Sequence, residues 1–209
     1  MKKILFLVVT LTLFTSCTKT VLLLPQLNIT GETAIQNHSE IWVYYDEDTK
    51  QADVNKNNLI TTTHWIINMD RRLSIAETTP VLQMVKSKRA KKSIHSAEGM
   101  RDYIGYSNTL DKNVSAFRID SITYIMLPKA EMKTLNTNNS CTIIDFKPSS
   151  ISINEKEFTL EKWNTSVLDS IKGCVQLQYD QRISYQKYME YRLSIPKELK
   201  VENIEYVYK

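Results

Sequence analysis

The chain has 209 residues, 42% of them hydrophobic and 24% charged, with a net charge of +4. That balance excludes the strongly basic face of a nucleic-acid binder, and the four glycines, Gly31, Gly99, Gly105 and Gly173, stand too far apart for a phosphate-cradling loop, so no cofactor of that kind is expected. The length suits one large domain or two small ones, and eleven tyrosines, most in strand-like segments, point to a strand-rich protein.

The opening segment, MKKILFLVVTLTLFTSC, places Lys2 and Lys3 ahead of an apolar run from Ile4 to Phe14. This is the length of a signal-peptide core and too short to span a bilayer. The run closes on Thr15-Ser16-Cys17, which resembles the lipobox of bacterial lipoproteins, with Phe14 where that pattern usually has leucine. The resemblance implies that residues 1–16 are removed and that Cys17 carries the lipid. At about 0.8 kcal/mol per buried CH₂, a multiply acylated cysteine anchors a domain almost permanently. The alternative is an ordinary signal peptide that ends near a cysteine. Thr18, Lys19 and Thr20 supply none of the aspartate that favours inner-membrane retention in such proteins. The implied location is the cell envelope, on the periplasm-facing outer membrane. The chain as a whole resembles in style the lipoproteins common in Bacteroidota.

Residues 17–39 read as a tether. Its apolar piece, VLLLPQLNI, is interrupted by Pro25, so it is at most an edge strand or a docked segment. Glu40–Tyr45 predicts the first strand and DEDTKQADVNKNN an exposed loop. Leu59–Met69 predicts a second strand, followed by a turn at Asp70-Arg71-Arg72 and a helix. Ser74 and Glu77 have capping-box spacing, while Pro80, suited to a first helical turn, makes Thr79 the competing N-cap. Val81, Leu82 and Val85 give this helix an apolar face, and Lys86, Lys88, Arg89, Lys91 and Lys92 crowd its negative end. Further strands are predicted at Tyr103–Tyr106, Ser121–Leu127 and Cys141–Phe146, and a hairpin over Ile151–Leu160. A helix over Leu160–Ile171, a strand over Cys174–Tyr179, a helix from Ser184 to Leu193 and a strand over Ile204–Tyr208 complete the reading. The class is α+β. Residues 40–127 form a first half and 141–209 a second, joined by a polar linker at 128–140, unless the whole is one continuous domain.

Two segments echo each other at a constant offset of 110: WIINMDRRLSI from Trp65 and VQLQYDQRISY from Val175. Asp70, Arg72 and Ser74 correspond to Asp180, Arg182 and Ser184. In each, Asp can accept from turn amides, Arg lies over the helix start and Ser caps the helix. The alternatives are a pair of equivalent binding sites in a pseudo-twofold domain, or chance. The strand, Asp turn, helix and strand unit resembles the periplasmic domain of ExbD/TolR proteins. That implies a fold and a preference for strand-edge partners. No motor chemistry carries over, because this chain has no counterpart of their transmembrane aspartate.

Cys141 and Cys174 can form a disulfide in an exported protein, or serve as two small buried hydrophobes. His38, His64 and His95 lack metal-ligand spacing, and no HExxH or G-x-S-x-G motif occurs, so no catalytic or metal residue is assigned. Asp46 and Asp48 read as solvated loop carboxylates. The basic run is either a solvated helix end or a patch for an acidic partner or anionic headgroups. Asp120-Ser121-Ile122 and Asp169-Ser170-Ile171 match the D-[ST]-apolar pattern that Bacteroidota O-glycosylate on exported proteins. The expectation is a non-enzymatic envelope lipoprotein acting by contact with another envelope protein. Rival readings are an accessory subunit of an ExbD/TolR-type energy-transducing complex, a hydrolase or transferase without a recognisable motif, and a lipid or glycan carrier.

Overall fold

A computed structural model describes residues 21–91, 98–137, 140–159, 163, 171 and 173–209. Among these, twelve strands and three α-helices form an α+β fold. The first sheet holds β1 (Gln26–Leu27), β2 (His38–Tyr45), β3 (Ala52–Val54), β4 (His64–Met69), β5 (Asp102–Asn108) and β6 (Asn113–Arg118), with α1 (Ile75–Ala90) between β4 and β5. The second holds β7 (Thr123–Leu127), β8 (Thr142–Phe146), β9 (Ser150–Ile153), β10 (Lys156–Thr159), β11 (Cys174–Asp180) and β12 (Lys200–Tyr208). Helix α2 (Lys129–Thr137) precedes β8, and α3 (Tyr185–Ser194) joins β11 to β12.

The two sheets repeat one plan. In the first, β3, β2, β4 and β5 are neighbours, with β2, β4 and β5 parallel and β3 antiparallel. In the second, β9, β8, β11 and β12 stand in the same order and the same directions. Both central strands are buried on both faces, so they read as near-continuous runs rather than alternating ones. The α1 and α3 stripes pack with the inner faces into one core that draws on both halves, including Trp65, Ile67, Leu82, Phe146, Leu177 and Tyr188.

Several sequence expectations shift. β4 begins at His64, because residues 59–63 form a turn in which Ile60 O accepts from Trp65 Nε1 at 2.7 Å. Ser74 is the N-cap of α1, with Glu77 accepting from its backbone N–H at 2.6 Å and its hydroxyl at 2.7 Å. Pro80 therefore lies inside the helix, and Thr79 does not cap it. The stretch 128–140 is not a bare linker: it carries α2, whose Met132 is buried against Tyr206 and Tyr208. β7, expected in the first half, pairs in parallel with β12 of the second sheet. The hairpin strand β6 was not anticipated, its NVSAFR sequence having weak alternation.

From residue 21 the tether is docked. Leu23 O accepts from Arg71 N at 2.7 Å, Pro25 O accepts from Ser107 N at 2.8 Å, and Leu27 is buried. β1 pairs with the end of β5, beyond the residues that pair with β4. The expected helix over Leu160–Ile171 lies outside the described residues, apart from Trp163 and Ile171. No helix among the described residues is long and apolar enough to cross a membrane.

Candidate functional site

The two Asp-x-Arg-x-Ser turns meet. Ile75 N donates to Ile183 O at 2.8 Å, and its counterpart Tyr185 N donates to Leu73 O at 2.6 Å. Ala76 N donates to Gln181 O at 3.2 Å and Gln186 N to Arg71 O at 3.3 Å. Every bond has its mirror at the offset of 110, with Ser74 and Ser184 bridged across the pseudo-twofold axis. Each helix start therefore gives its unpaired N–H groups to the other half's turn.

Inside each turn the geometry also repeats. Asp70 accepts from Arg72 N, Nε and Nη2, each at 2.9 Å. Asp180 accepts from Arg182 N and Nε at 2.9 Å and from Nη2 at 2.6 Å. Burial works against the Asp70 carboxylate, but the Arg72 side chain and the turn amides hold its pKa below the ordinary value. At Asp180 the Arg182 guanidinium leads in the same direction. Of the two aspartates it is Asp70 that binds the docked segment, accepting from Leu23 N at 3.1 Å. Both motifs thus form the joint between the halves.

The basic run does not form one patch. Arg89 lies on the Trp65 ring at 3.5 Å, pairs with buried Asp102 at 2.8 Å and donates to Thr61 O and Thr63 O. Lys86 donates to the carbonyls of Ile119 and Asp120, and burial lowers its pKa. Lys88 and Lys91 are exposed, and Lys92 lies outside the described residues. His64 Nδ1 accepts from Arg101 N at 2.9 Å, and His38 Nδ1 lies 2.6 Å from Ile35 O. His95, Cys17 and Asp169-Ser170 lie outside the described residues, while Ser121 is exposed in the turn before β7. Cys141 and Cys174 form a disulfide with Cα atoms 4.8 Å apart, tying the starts of β8 and β11. Closing such a loop stabilises by about 3–4 kcal/mol in the chain-entropy model.

The site that sequence reasoning missed lies where the repeat breaks. α1 runs for 16 residues and α3 for 10, although both begin at the same repeat position. Ile195 is already extended, as the residue before a proline prefers, and Pro196 ends the helix. At 1.5 Å per residue, α3 stops about 9 Å short of its counterpart. Beyond this stop opens a cleft of about 950 Å³, walled by β6, residues 29–32, the end of α3 and the start of β12. Its apolar lining includes Ile29, Phe117, Leu193, Ile195, Leu199 and Val201, with Glu32, Arg118 and Lys197 as its exposed charges. Gly31 permits the close crossing of residues 29–32. A Cβ there would collide with the Tyr106 hydroxyl and lie 2.8 Å from Ala116 O.

Arg192 carries charge from the core to this cleft. Its Nε donates to Glu205 at 2.6 Å, and Glu205, only 1% exposed, also accepts from the Tyr188 hydroxyl at 2.8 Å. The Tyr124 hydroxyl lies 3.3 Å from that of Tyr188. Burial, with Glu205 nearby, pushes both phenols up, so they remain neutral. Burial opposes the Arg192 charge, but Glu205 outweighs it and the guanidinium stays protonated.

A smaller polar bowl of about 210 Å³ lies beneath α2, lined by Lys129, Lys133, Asp145, Lys147, Gln178 and Tyr208 among others. Among the described residues no group of three or more His, Cys, Asp or Glu side chains is placed to hold a metal. Comparison with known proteins finds no family model, curated protein or solved structure that matches the chain significantly.

Proposed function

We propose that this protein is a non-enzymatic envelope lipoprotein, held to the membrane by a lipid on Cys17 and acting by contact with another envelope protein through the cleft at the end of α3. The observation that carries this reading is the cleft itself. It joins apolar walls to a charged rim, the anatomy of a contact surface. It also borders the outer edge of β6. Glu32 occupies that edge at Ala116, exchanging backbone bonds at 3.0 and 2.7 Å, and the ladder's parity turns the main-chain groups of Val114 and Arg118 to the same side, on either flank of that bridge. The second reading, an accessory role beside an ExbD/TolR-type complex, is supported by two built strand, Asp turn, helix and strand units.

The test is site-specific photocrosslinking in intact cells, with the probe at Lys197 on the rim or at exposed Ile60 outside the cleft. One envelope protein captured from Lys197 but not from Ile60, and lost in Cys17→Ala, is the expected result. Equal capture from both positions removes the cleft from the proposal. Capture of ExbB or ExbD selects the accessory reading.

A further inference from the structure

We propose that the cleft receives the end of an extended polypeptide, with its terminal carboxylate on the outer edge of Arg192 and its apolar side chains along Leu193, Leu199 and Val201. This rests on the cleft being the contact site and names the chemistry of its occupant.

Three observations converge. First, the Arg192 side chain is 16% exposed and lines the cleft, yet among the described residues only its Nε has a hydrogen-bond partner. A guanidinium has five N–H donors in a fixed fork. With Nε held by Glu205 and the guanidinium lying 5.2 Å over the Phe117 ring, the Nη groups reach the cleft's solvent and are left for a ligand. A carboxylate matches that planar edge in two-point geometry. Second, the walls beside it are hydrocarbon, and the volume lies at the upper end of ordinary ligand sites. Third, the outward main-chain groups of Arg118 border the same cleft and have no backbone partner among the described residues. A polypeptide can pair with such groups by strand addition, whereas a hydrocarbon chain cannot use them. This selects a peptide over a fatty acid, which would share the carboxylate and the apolar body. Among the cleft's cations Arg192 alone lies beside the apolar wall of Leu193, Leu199 and Val201 with its guanidinium anchored by a buried carboxylate, so the peptide's carboxylate is seated there.

The test is titration of the purified domain with a hexapeptide of alternating valine and threonine bearing a free C-terminus, with its amidated twin and with dodecanoate. The free acid is expected to bind at least tenfold more tightly than the amide, and more tightly than dodecanoate. The double variant R192M/E205Q removes both members of the buried pair, so no lone charge is left in the core, and it should abolish the preference for the acid. If that variant fails to fold, Leu193→Glu, which sets a carboxylate at the cleft wall, should weaken the free acid at least tenfold and the amide less. Equal binding of acid and amide overturns the proposal, as does an unchanged preference in folded R192M/E205Q. Tighter binding of dodecanoate than of peptide assigns the cleft to a lipid instead. If no probe binds while Lys197 still crosslinks a partner, the carboxylate inference falls and the cleft reading stands.

Discussion

Asp70→Asn tests whether the first turn does more than the second. Four N–H donors converge on the Asp70 carboxylate: three from Arg72 and one from Leu23. An amide presents one acceptor oxygen and turns an NH₂ group toward the remaining donors, so about two hydrogen bonds are lost. Bonds to charged groups contribute roughly 1.5–3 kcal/mol each. Arg72 is 33% exposed and regains water when released, which discounts its share. The expected net loss is about 2–3 kcal/mol, or roughly 4–12 °C in Tm for a domain of this size. Asp180→Asn loses about one of the three such bonds that Asp180 accepts, no docked segment depends on it, and Arg182 is 73% exposed. Its Tm shift should be no more than half as large. Thermal unfolding followed by circular dichroism measures both, and amide exchange at Leu23 separates them. Protection at Leu23 should fall in Asp70→Asn and hold in Asp180→Asn. Equal Tm shifts, or Leu23 protection unchanged in Asp70→Asn, would refute the claim that this carboxylate pins the N-terminal segment.

The acid dependence has two signs. The Asp70 carboxyl is held low in the folded state, so its contribution is present above the unfolded value of about 3.9 and is lost as pH falls through the folded value. Burial raises Asp145 despite its bond from the Tyr208 hydroxyl at 2.9 Å, so its contribution is full below the unfolded value and is lost as pH rises through the folded one. Asp145→Asn should therefore gain Tm relative to wild type as pH is raised from 4 to 7, whereas Asp70→Asn should lose it; melts across that range decide. Reduction of the disulfide, or Cys141→Ser with Cys174→Ser, should lower stability by about 3–4 kcal/mol in denaturant titration. Gly31→Ala should cost about 1–3 kcal/mol by overpacking. Adding Tyr106→Phe should recover only part of it, because the Ala116 carbonyl remains in the way.

The repeat was legible because its signal is local. Asp70, Arg72 and Ser74 bond mostly within their own turn, so residue type and spacing carry the geometry. The strands β4, β11 and β12 and the helix α3 were legible for the same reason. What the sequence hid is long-range. Nothing near Asp102 announces that Arg89 will leave the basic run to pair with it, and nothing in LITTTHW marks residues 59–63 as the turn that receives Arg89. β7 could not be assigned to the second sheet because its partner, β12, lies at the far end of the chain. The cleft was hidden for a different reason, since its lining comes from residues 29–32, 116–118 and 192–201, each unremarkable alone.

Even so, its cause can be read from one residue. The halves share an order of strands, a joint and a helix start, and they diverge where Pro196 stops α3. On the α1 side the longer helix continues, and Lys86 reaches the Ile119 and Asp120 carbonyls ahead of β7 while Gln83 Nε2 covers Tyr124 O at 3.0 Å. On the α3 side that space is left open beside β6. If the opening is what matters, refilling it should remove function without harming the fold. Val201→Phe adds bulk at the cleft wall, away from the turn-to-turn joint, at a position that pairs with Val175 beside the disulfide's Cys174. Its stability should fall by no more than about 1–3 kcal/mol, the range for added bulk, because Val201 is only partly buried and faces the opening. Crosslinking from Lys197 should be lost. If the variant is stably folded and still captured, the cleft is a by-product of a short helix, and the contact surface must be sought elsewhere on the molecule.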